Sequence, residues 1–212
     1  FPKLKHIYTV NGSIANLYKE RYGKELKVVR NVSRRFTPDN IPDRAELGLP
    51  TDQRIIIIQG SGINIDRGAE ELLEAMELLE GYHLLIVGNG DVVPMLKQKC
   101  EGRTDVTFVP KKPYPIMMEY TANSDIGVSL DKDTNINYRY SLPNKIFDYI
   151  HAGIPVLASS VVEVRSIVEK YNVGAIIPSH KPEDIAETIK SYFFRLDENK
   201  LKNRLAKAAD EL

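Results

Sequence analysis

A lysine and a carboxylate stand one helical turn apart in the segment SLPNKIFDYIHAGIPV, residues 141–156. Pro143 and Gly153 are residue types that favour the start and the end of a short helix. Lys145 and Asp148 then lie on one face of that helix, because they are three residues apart. One interpretation is a surface ion pair. The other is a ligand site, in which Lys145 binds a diphosphate near the helix start and Asp148 accepts hydrogen bonds from a ribose diol.

Two glycine-rich turns, Gly60–Gly62 and Gly88–Gly90, each follow a short apolar segment. Glycine lets a ligand approach the backbone, and Arg67 stands where the next helical pattern starts, a position that favours anions. Each turn alone is equally well an ordinary strand-to-helix connection, because Ile65 takes the place of the third glycine of a dinucleotide-binding motif. Two such turns on neighbouring strands are more informative, since both open at the same edge of a sheet. No NTPase-type phosphate-binding loop is present in the sequence.

Asp131 and Asp133 follow another apolar segment and form a D-x-D pattern. Paired carboxylates can hold Mg²⁺ or Mn²⁺ against a diphosphate. The surrounding letters DKDTNIN are also typical of a solvated loop, the interpretation we favour, so no metal site is predicted. The histidines lack the spacing of a zinc site, and His151 suits a helix C-terminus better than a catalytic role. Ser141 and Cys100 lack the sequence context of an acyl-hydrolase nucleophile.

Short apolar segments alternate with helical patterns along most of the chain. The apolar runs predict strands covered on both faces at Ile55–Ile58, Leu84–Val87, Val106–Val109, Ile126–Leu130, Pro155–Ala158 and Val173–Ile177. Helices are predicted around the apolar stripe of Leu72, Leu73, Met76 and Leu79, and at Val92–Lys99, Pro115–Ala122, Asn144–Ala152, Val161–Tyr171, Pro182–Phe194 and Asn199–Leu212. This alternation predicts an α/β fold with a doubly wound parallel sheet, in which ligands bind beyond the carboxyl ends of the strands.

The first part of the chain has a different pattern. A strand is predicted at His6–Val10, then a helix to about Tyr22 capped by Asn11 or Ser13, then a strand at Leu26–Arg30. The letters SRRFTPDNIPDRAELGLPTDQ follow, with three prolines and little periodicity. They predict a linker that ends near residue 54, where the main domain starts.

Composition excludes several classes of protein. The chain has 212 residues, with 29 lysines plus arginines against 29 aspartates plus glutamates, so it lacks the basic surplus of a nucleic-acid-binding protein. The single cysteine allows no intrachain disulfide and suits a reducing compartment. No apolar run approaches the roughly 20 residues that span a bilayer, and no signal peptide opens the sequence. We therefore expect a cytoplasmic protein, and the initial phenylalanine suggests a fragment of a longer one.

The segment SLPNKIFDYIHAGIPVLAS resembles the nucleotide-sugar-binding signature of retaining GT-B glycosyltransferases, the group 1 type used in bacterial polysaccharide assembly. The resemblance extends over nearly the whole chain. IIIIQGSGINIDRGAEELLEAM, LLIVGNGDVVPML and VTFVPKKPYPIMMEYTANSDIGVSL are similar, in order and spacing, to successive strands and loops of the family's C-terminal domain. HIYTVNGSIANLYKERYG and VVRNVSRRFTPDN resemble the end of the acceptor domain and the crossover between domains.

The resemblance implies the C-terminal half of a GT-B fold, a Rossmann-like domain that closes with a second domain around a cleft. It assigns Arg67 and Lys145 to catalysis, as the basic pair that neutralises the diphosphate leaving group. It implies that substrate is bound by Gly60, Ser61, Gly62, Gly88, Asn89, Gly90, Val109, Pro110, Lys111, Leu142, Pro143, Asn144 and Asp148. It also implies a UDP- or GDP-sugar as donor, and no cofactor or metal. The acceptor is a glycan or a lipid-linked molecule held by the missing N-terminal domain, which would bring the enzyme to the inner face of the membrane.

The same resemblance divides the chain into a remnant of the acceptor domain (1–35), an interdomain linker (36–53), the nucleotide-sugar-binding domain (54–198) and a C-terminal helix (199–212). The sequence departs from the family where an acidic residue is expected at Tyr140, where the second glutamate is the shorter Asp148, and where an arginine is expected near Ser61. With half of the cleft missing, we expect this chain alone to be inactive. Two alternatives stay open, a nucleotide-sugar epimerase of similar architecture and a noncatalytic nucleotide-sugar-binding module.

Overall fold

The computed structural model describes residues 3–38 and 40–212. Residues 1 and 2 of the predicted acceptor-domain remnant and residue 39 of the predicted linker lie outside the described residues. Within the described ranges the strands are β1 (Tyr8–Thr9), β2 (Lys27–Val28), β3 (Arg54–Gly60), β4 (Tyr82–Gly88), β5 (Val106–Val109), β6 (Ile126–Ser129), β7 (Val156–Ala158) and β8 (Gly174–Ile176). The helices are α1 (Gly12–Tyr22), α2 (Ala69–Ala75), α3 (Val93–Lys99), α4 (Tyr114–Ala122), α5 (Ile136–Arg139), α6 (Lys145–His151), α7 (Val162–Tyr171), α8 (Pro182–Phe194) and α9 (Glu198–Glu211).

The main domain is built on a parallel sheet of six strands in the order β5-β4-β3-β6-β7-β8. Side chains alternate between the two faces of a strand, so Ile56 and Ile58 pack with α2, α3 and α8, whereas Ile55 and Ile57 pack with α6, α7 and α9. Burial on both faces explains why these strands are continuous apolar runs. The predicted doubly wound α/β sheet is confirmed. Its strand order changes direction between β3 and β6, which opens a crevice beyond their carboxyl ends.

Helix α6 is fixed to the sheet by a contact between Tyr149 and Gly127. The Tyr149 side chain is fully buried, and a Cβ on Gly127 would lie 2.2 Å from its ring, so only glycine fits beneath it. The Tyr149 hydroxyl donates to the Val128 carbonyl oxygen at 3.1 Å, and burial raises the pKa of that hydroxyl. This contact holds Lys145 and Asp148, on the same short helix, at the edge of the crevice.

The N-terminal elements form a separate layer. Strands β1 and β2 make a two-stranded parallel sheet, and α1 between them has no buried residue. Asn11 is the helix cap, as one of the two predicted alternatives had it, because its Oδ1 accepts from the Ile14 amide at 2.9 Å. Asn11 Nδ2 also donates to the Tyr140 carbonyl oxygen at 2.8 Å, and the Ser13 amide donates to Glu163 at 2.9 Å. Two polar contacts therefore join this layer to the main domain.

Part of the predicted linker is packed on the main domain. Leu49 is 5% exposed and belongs to the core on the α6 face of the sheet. The Arg44 guanidinium donates to the Asn123 carbonyl at 2.9 Å, the Gln53 carbonyl at 3.1 Å and the Asp125 carboxylate at 2.8 Å. These contacts attach residues 44–49 to the sheet, and the domain boundary at residue 54 stays a prediction.

Two details of the helices differ from expectation. The apolar stripe that starts at Leu72 continues after α2 as a 3₁₀ turn at Met76–Leu78. Helix α5 was not predicted, because its four residues are too few to show a period; Asn135 caps it by accepting from two amides at 3.0 Å. Among the described residues, no helix combines the length and apolar character needed to cross a membrane.

Candidate functional site

A cavity of about 660 Å³ opens at the carboxyl ends of β3 and β4, beside the start of α6. Most of the predicted site residues line its wall: Gly60, Ser61, Gly62, Arg67, Gly88, Lys111, Leu142, Pro143, Asn144, Lys145 and Asp148. The polypeptide brings them together because the carboxyl ends of parallel strands, with the loops that follow, meet at one edge of the sheet. Lys145 and Asp148 face this common cavity, which favours the ligand-site interpretation over a surface ion pair.

The second glycine-rich turn supports the first one. Asn89 N donates to the Gly60 carbonyl oxygen at 3.1 Å, and Ile63 N donates to the Asn89 carbonyl oxygen at 3.1 Å. A Cβ on Gly90 would lie 2.0 Å from the Ile63 carbonyl oxygen. Close packing of the two turns thus explains why residue 90 is a glycine. Neither Asn89 nor Gly90 lines the cavity.

Val109 and Pro110 also lie outside the cavity wall. Val109 ends β5 and is buried in the core, and Pro110 is exposed. The next residues of the same loop, Lys111 and Lys112, line the cavity instead. The loop after β5 therefore meets the cavity through its two lysines.

Arg67 is held from several sides. Its Nη1 donates to Asp131 Oδ2 at 2.8 Å, and the Tyr138 ring lies 4.4 Å from the centre of the guanidinium. Asp66, just ahead of Arg67, has a φ of 66° in the left-handed region. Such a conformation costs a non-glycine residue roughly 1 kcal/mol or more, although aspartate tolerates it better than most. The Lys132 amide donates to the Asp66 carbonyl oxygen at 2.8 Å, which ties this turn to the end of β6.

Lys145 is the first residue of α6 and is half-buried. Burial lowers the pKa of its ammonium, because a charged group loses solvation there. The nearby Arg67 lowers this pKa further, whereas the Asp131 carboxylate raises it. Lys145 thus sits beside a like charge and an opposite one, and Asn144 ahead of it makes no side-chain cap to the helix.

Asp148 is 5% exposed and belongs to a polar network. Tyr114 Oη donates to Asp148 Oδ1 at 3.0 Å, and Gln59 Nε2 donates to Asp148 Oδ2 at 3.3 Å. Burial raises the pKa of Asp148, and hydrogen bonds from Tyr114 and Gln59 oppose that effect. Burial, together with the Asp148 charge, raises the pKa of Tyr114 to about 12. The network keeps a carboxylate at the cavity wall with its orientation fixed.

The two carboxylates of the D-x-D pattern point to different partners. Asp131 pairs with Arg67 at 2.8 Å, and Asp133 pairs with Arg139 at 2.9 Å. Within the part of the chain that the structure describes, no group of three or more histidine, cysteine, aspartate or glutamate side chains is placed to hold a metal ion. His151 lies in the last turn of α6, where burial lowers the pKa of its ring.

The resemblance also implies that Val109–Lys112 pass beside the base, so Lys112 was expected at this wall, whereas sequence reasoning missed six of its other residues: Asn31, Ser33, Gln59, Val87, Tyr114 and Met117. Gln59 carried a signal, since it is a polar residue that ends a buried isoleucine run and must therefore find partners. Asn31 and Ser33 come from the segment that leads out of the N-terminal layer, far away in sequence. Only the fold brings them to the cavity.

The charges of the cavity suit an anionic ligand that also carries hydroxyl groups. Arg67 and Lys145 lie near the glycine turn, and Lys111 and Lys112 lie at the loop after β5. Against these four cations, the described residues of the wall include one carboxylate, Asp148. A diphosphate can be bound by the cations, while a carboxylate fixed by donors accepts hydrogen bonds from hydroxyls.

Comparison with known proteins gives consistent matches. The family model described as glycosyl transferases group 1 matches residues 39–212. D-inositol 3-phosphate glycosyltransferase of Mycobacteroides abscessus is 29% identical over 163 residues, which are 73% of this chain and 35% of that protein. The chain therefore spans about a third of the length of this curated relative.

Two solved structures share the fold of this chain. Anabaena HepE in complex with UDP has a TM-score of 0.75 and 17% identity, covering 97% of this chain and 58% of that one. WaaG, a glycosyltransferase involved in lipopolysaccharide biosynthesis, has a TM-score of 0.70 and 17% identity, covering 96% of this chain and 57% of that one. At these identities the likeness shows the fold alone, which is the GT-B type of Rossmann-like domain, and the chain spans a little more than half of each structure.

Proposed function

We propose that this chain, which belongs to the glycosyl transferases group 1 family, is the C-terminal, donor-binding domain of a retaining GT-B glycosyltransferase. The donor is a nucleoside diphosphate sugar. One observation carries the proposal: Arg67, from the turn ahead of α2, converges on one cavity at the carboxyl ends of the strands with Lys145 and Asp148, both from α6. The UDP in the HepE structure, a neighbour in fold, adds support for a nucleotide ligand.

The two cations act on the leaving group. When the bond between the sugar's anomeric carbon and the diphosphate oxygen breaks, negative charge builds up on the diphosphate. Arg67 and Lys145 stabilise that charge at the site where it develops, which lowers the barrier to sugar transfer. Positioned side-chain cations do this without a divalent ion, so the proposal assigns no step to a metal.

The remaining wall residues orient the donor. Asp148, fixed by Tyr114 and Gln59, accepts hydrogen bonds from the ribose hydroxyls. The loop that carries Lys111 passes beside the base. Gly62 leaves open space at the cavity wall, since nothing lies within 4 Å of a Cβ built on it, and the diphosphate approaches the backbone there.

The acceptor side of the reaction lies in a further domain of the enzyme. We place the acceptor among glycans and lipid-linked molecules, in polysaccharide biosynthesis, and the enzyme at the cytoplasmic face of the membrane. The name of the WaaG structure, a glycosyltransferase of lipopolysaccharide biosynthesis, supports this class of pathway. The donor domain alone has half of a cleft, so we expect it to bind donor without transferring sugar.

Isothermal titration calorimetry with UDP, GDP and UDP-glucose tests the donor site. We expect weak binding of a nucleoside diphosphate, and Arg67→Ala and Lys145→Ala each lose about 1–3 kcal/mol of binding free energy because charge-assisted contacts disappear. Lys190→Ala, which removes an exposed lysine from α8, is the control and keeps the affinity. Unchanged affinity in both site variants would falsify the diphosphate assignment. Loss of binding in EDTA would return Asp131 and Asp133 to consideration as metal ligands.

A further inference from the structure

Asp131 is a buried carboxylate that the proposed mechanism does not use. It lies two residues after the end of β6, its side chain has no exposed surface, and it does not line the main cavity. Its Oδ2 accepts from Arg67, whereas its Oδ1 has no hydrogen-bond partner among the described residues. A buried charge is strongly unfavourable unless an opposite charge compensates it. Of the four cations in the cavity wall, Arg67 and Lys145 are the two that can compensate Asp131.

Contacts with β7 and with Arg67 hold Asp131 in place. Ser159 Oγ donates to the Asp131 carbonyl oxygen at 2.6 Å, which joins it to the end of β7. The Arg67 guanidinium then lies between Asp131 Oδ2 at 2.8 Å and the Tyr138 ring at 4.4 Å. A guanidinium held by a carboxylate and by an aromatic face keeps one orientation. Arg67 also lines the cavity, and its Nε–H, like Asp131 Oδ1, has no hydrogen-bond partner among the described residues.

Two cations that converge on one site repel each other, and this repulsion is strongest before an anionic ligand arrives. Arg67 lowers the pKa of Lys145, as burial also does, and the Asp131 carboxylate raises it. The other charged groups around Asp131 have partners elsewhere: Lys132 pairs with Glu71, and Asp133 pairs with Arg139. His180 Nε2 contacts the Leu130 carbonyl oxygen at 3.0 Å. Asp131 is therefore the anion placed to offset both site cations.

We propose that Asp131 is a positioning residue of the donor site, which orients Arg67 and offsets the positive charge of Arg67 and Lys145 while the site is empty. The inference rests on the proposed function, because both cations are the ones assigned to the diphosphate. Asp131 acts through Arg67 and Lys145 and touches no ligand itself. Its loss therefore alters how the site responds to pH, which the loss of a merely structural residue does not.

The test compares Asp131→Asn with Asp133→Asn in the full 212-residue chain. Both substitutions remove one negative charge, two positions apart, but Asp133 is exposed and pairs with Arg139. NMR titration of the ¹³Cε signal of Lys145, identified by its absence in Lys145→Arg, measures the lysine pKa directly. We expect a lower Lys145 pKa in Asp131→Asn and an unchanged one in Asp133→Asn. UDP affinity is measured by calorimetry from about pH 6 to about pH 9. As the pH rises, the affinity of Asp131→Asn should start to fall at a lower pH than the affinity of Asp133→Asn.

At the upper end of this pH range we expect UDP to bind about threefold or more weakly to Asp131→Asn than to Asp133→Asn, because the neutral fraction of Lys145 is larger in Asp131→Asn. Asp131→Glu, which keeps the charge, should restore the pH profile in part. The same Lys145 pKa and the same pH profile in the two asparagine variants overturn the inference. A wild-type chain that binds neither UDP nor GDP defeats the proposed function, and the Lys145 titration still decides the role of Asp131.

Arg67→Gln provides a test that does not depend on the folding of Asp131→Asn. This variant removes the competing cation and leaves Asp131 beside Lys145, so the pKa of Lys145 should rise. An unchanged or lower Lys145 pKa in Arg67→Gln overturns the inference as well. Circular dichroism and thermal unfolding establish which variants are folded before each titration.

Discussion

A Cβ built on Gly88 would lie 1.8 Å from the carbonyl oxygen of Gly60. The two residues pair in register at the ends of β3 and β4, and both have positive φ values, 131° for Gly60 and 134° for Gly88. The close approach of the two strand ends leaves no room for a side chain on Gly88. Gly62, two residues further along the first turn, has open space around it and faces the cavity. Gly88 is thus required by the close packing of two strand ends, whereas Gly62 leaves space at the cavity wall.

We predict that alanine at Gly88 lowers stability, whereas alanine at Gly62 mainly weakens ligand binding. Gly88→Ala should destabilise the chain by roughly 2–4 kcal/mol, because the new methyl group overlaps the Gly60 carbonyl and the backbone is strained. Gly62→Ala should change stability by less than about 0.5 kcal/mol, since its φ lies outside the left-handed region and its surroundings are empty. It should still weaken UDP binding about tenfold if the diphosphate contacts the backbone there. Urea unfolding and calorimetry measure the two quantities. A Gly62→Ala chain that binds UDP as well as wild type contradicts the placement of the diphosphate.

Asp148 should make stability depend on pH in an unusual direction for a carboxylate. Burial raises its pKa, so the folded chain holds that proton more tightly than the unfolded chain does. The stability that Asp148 contributes is present below its unfolded pKa and is lost as the pH rises through its folded pKa. Asp148→Asn should therefore raise the melting temperature at about pH 7.5, and the gain should be smaller at about pH 4, because the protonated fraction of the Asp148 carboxyl grows as the pH falls.

Asp105 is the matched control for that experiment. A hydrogen bond from Arg103 lowers the pKa of Asp105, the opposite direction to Asp148. Asp105→Asn should therefore lower the melting temperature at about pH 7.5, and the loss should shrink as the pH falls through its folded pKa. Differential scanning calorimetry compares both variants with wild type at about pH 7.5 and about pH 4, and compares Asp105→Asn also at about pH 2.5, because the folded pKa of Asp105 lies below the ordinary value of about 4. Equal melting-temperature differences at both pH values for Asp148→Asn would rule out a raised carboxyl pKa.

Much of the fold could be predicted because its signals are local. A run such as Ile55–Ile58 has to be covered on both faces, which requires a parallel sheet with helices on each side. Once the sheet is parallel, Arg67 and Lys145 must come to the same edge, since each follows the carboxyl end of a strand. The structure places both at one cavity, and their role there stays a prediction.

The rest depends on contacts between distant parts of the chain. The glycine at position 90 looks like part of a ligand loop in sequence, and its steric neighbour, the Ile63 carbonyl, is visible only in the fold. The pairing of Arg67 with Asp131 spans 64 residues and has no local pattern. Ser33 reaches the cavity wall because the segment after β2 crosses over the sheet edge. Sequence periodicity contains no information on any of these contacts.

Asn11 should couple the N-terminal layer to the loop ahead of α6. Its Oδ1 caps α1 and its Nδ2 donates to the Tyr140 carbonyl oxygen. Asn11→Ala removes both bonds and should cost α1 about 1 kcal/mol or more of local stability. Asn11→Asp keeps a good cap but loses the donor to Tyr140. Hydrogen exchange followed by mass spectrometry should show faster exchange at residues 12–22 in the alanine variant alone, and at residues 138–144 in both. Equal exchange of α1 in the two variants would contradict the separate roles of the two side-chain atoms.

Arg44 should make residues 44–49 part of the cooperative domain. It donates to the carbonyl oxygens of Asn123 and Gln53 and to the Asp125 carboxylate, and it is only 24% exposed. Arg44→Met keeps most of the side-chain bulk but leaves three acceptors without this donor, so we expect a loss of about 1–3 kcal/mol in the free energy of unfolding. Arg35→Met is the control, because the Arg35–Asp210 ion pair is mostly exposed and should contribute less than about 0.5 kcal/mol. Urea unfolding monitored by circular dichroism gives both values. If Arg44→Met is no less stable than Arg35→Met, residues 44–49 behave as a free linker and not as part of the domain.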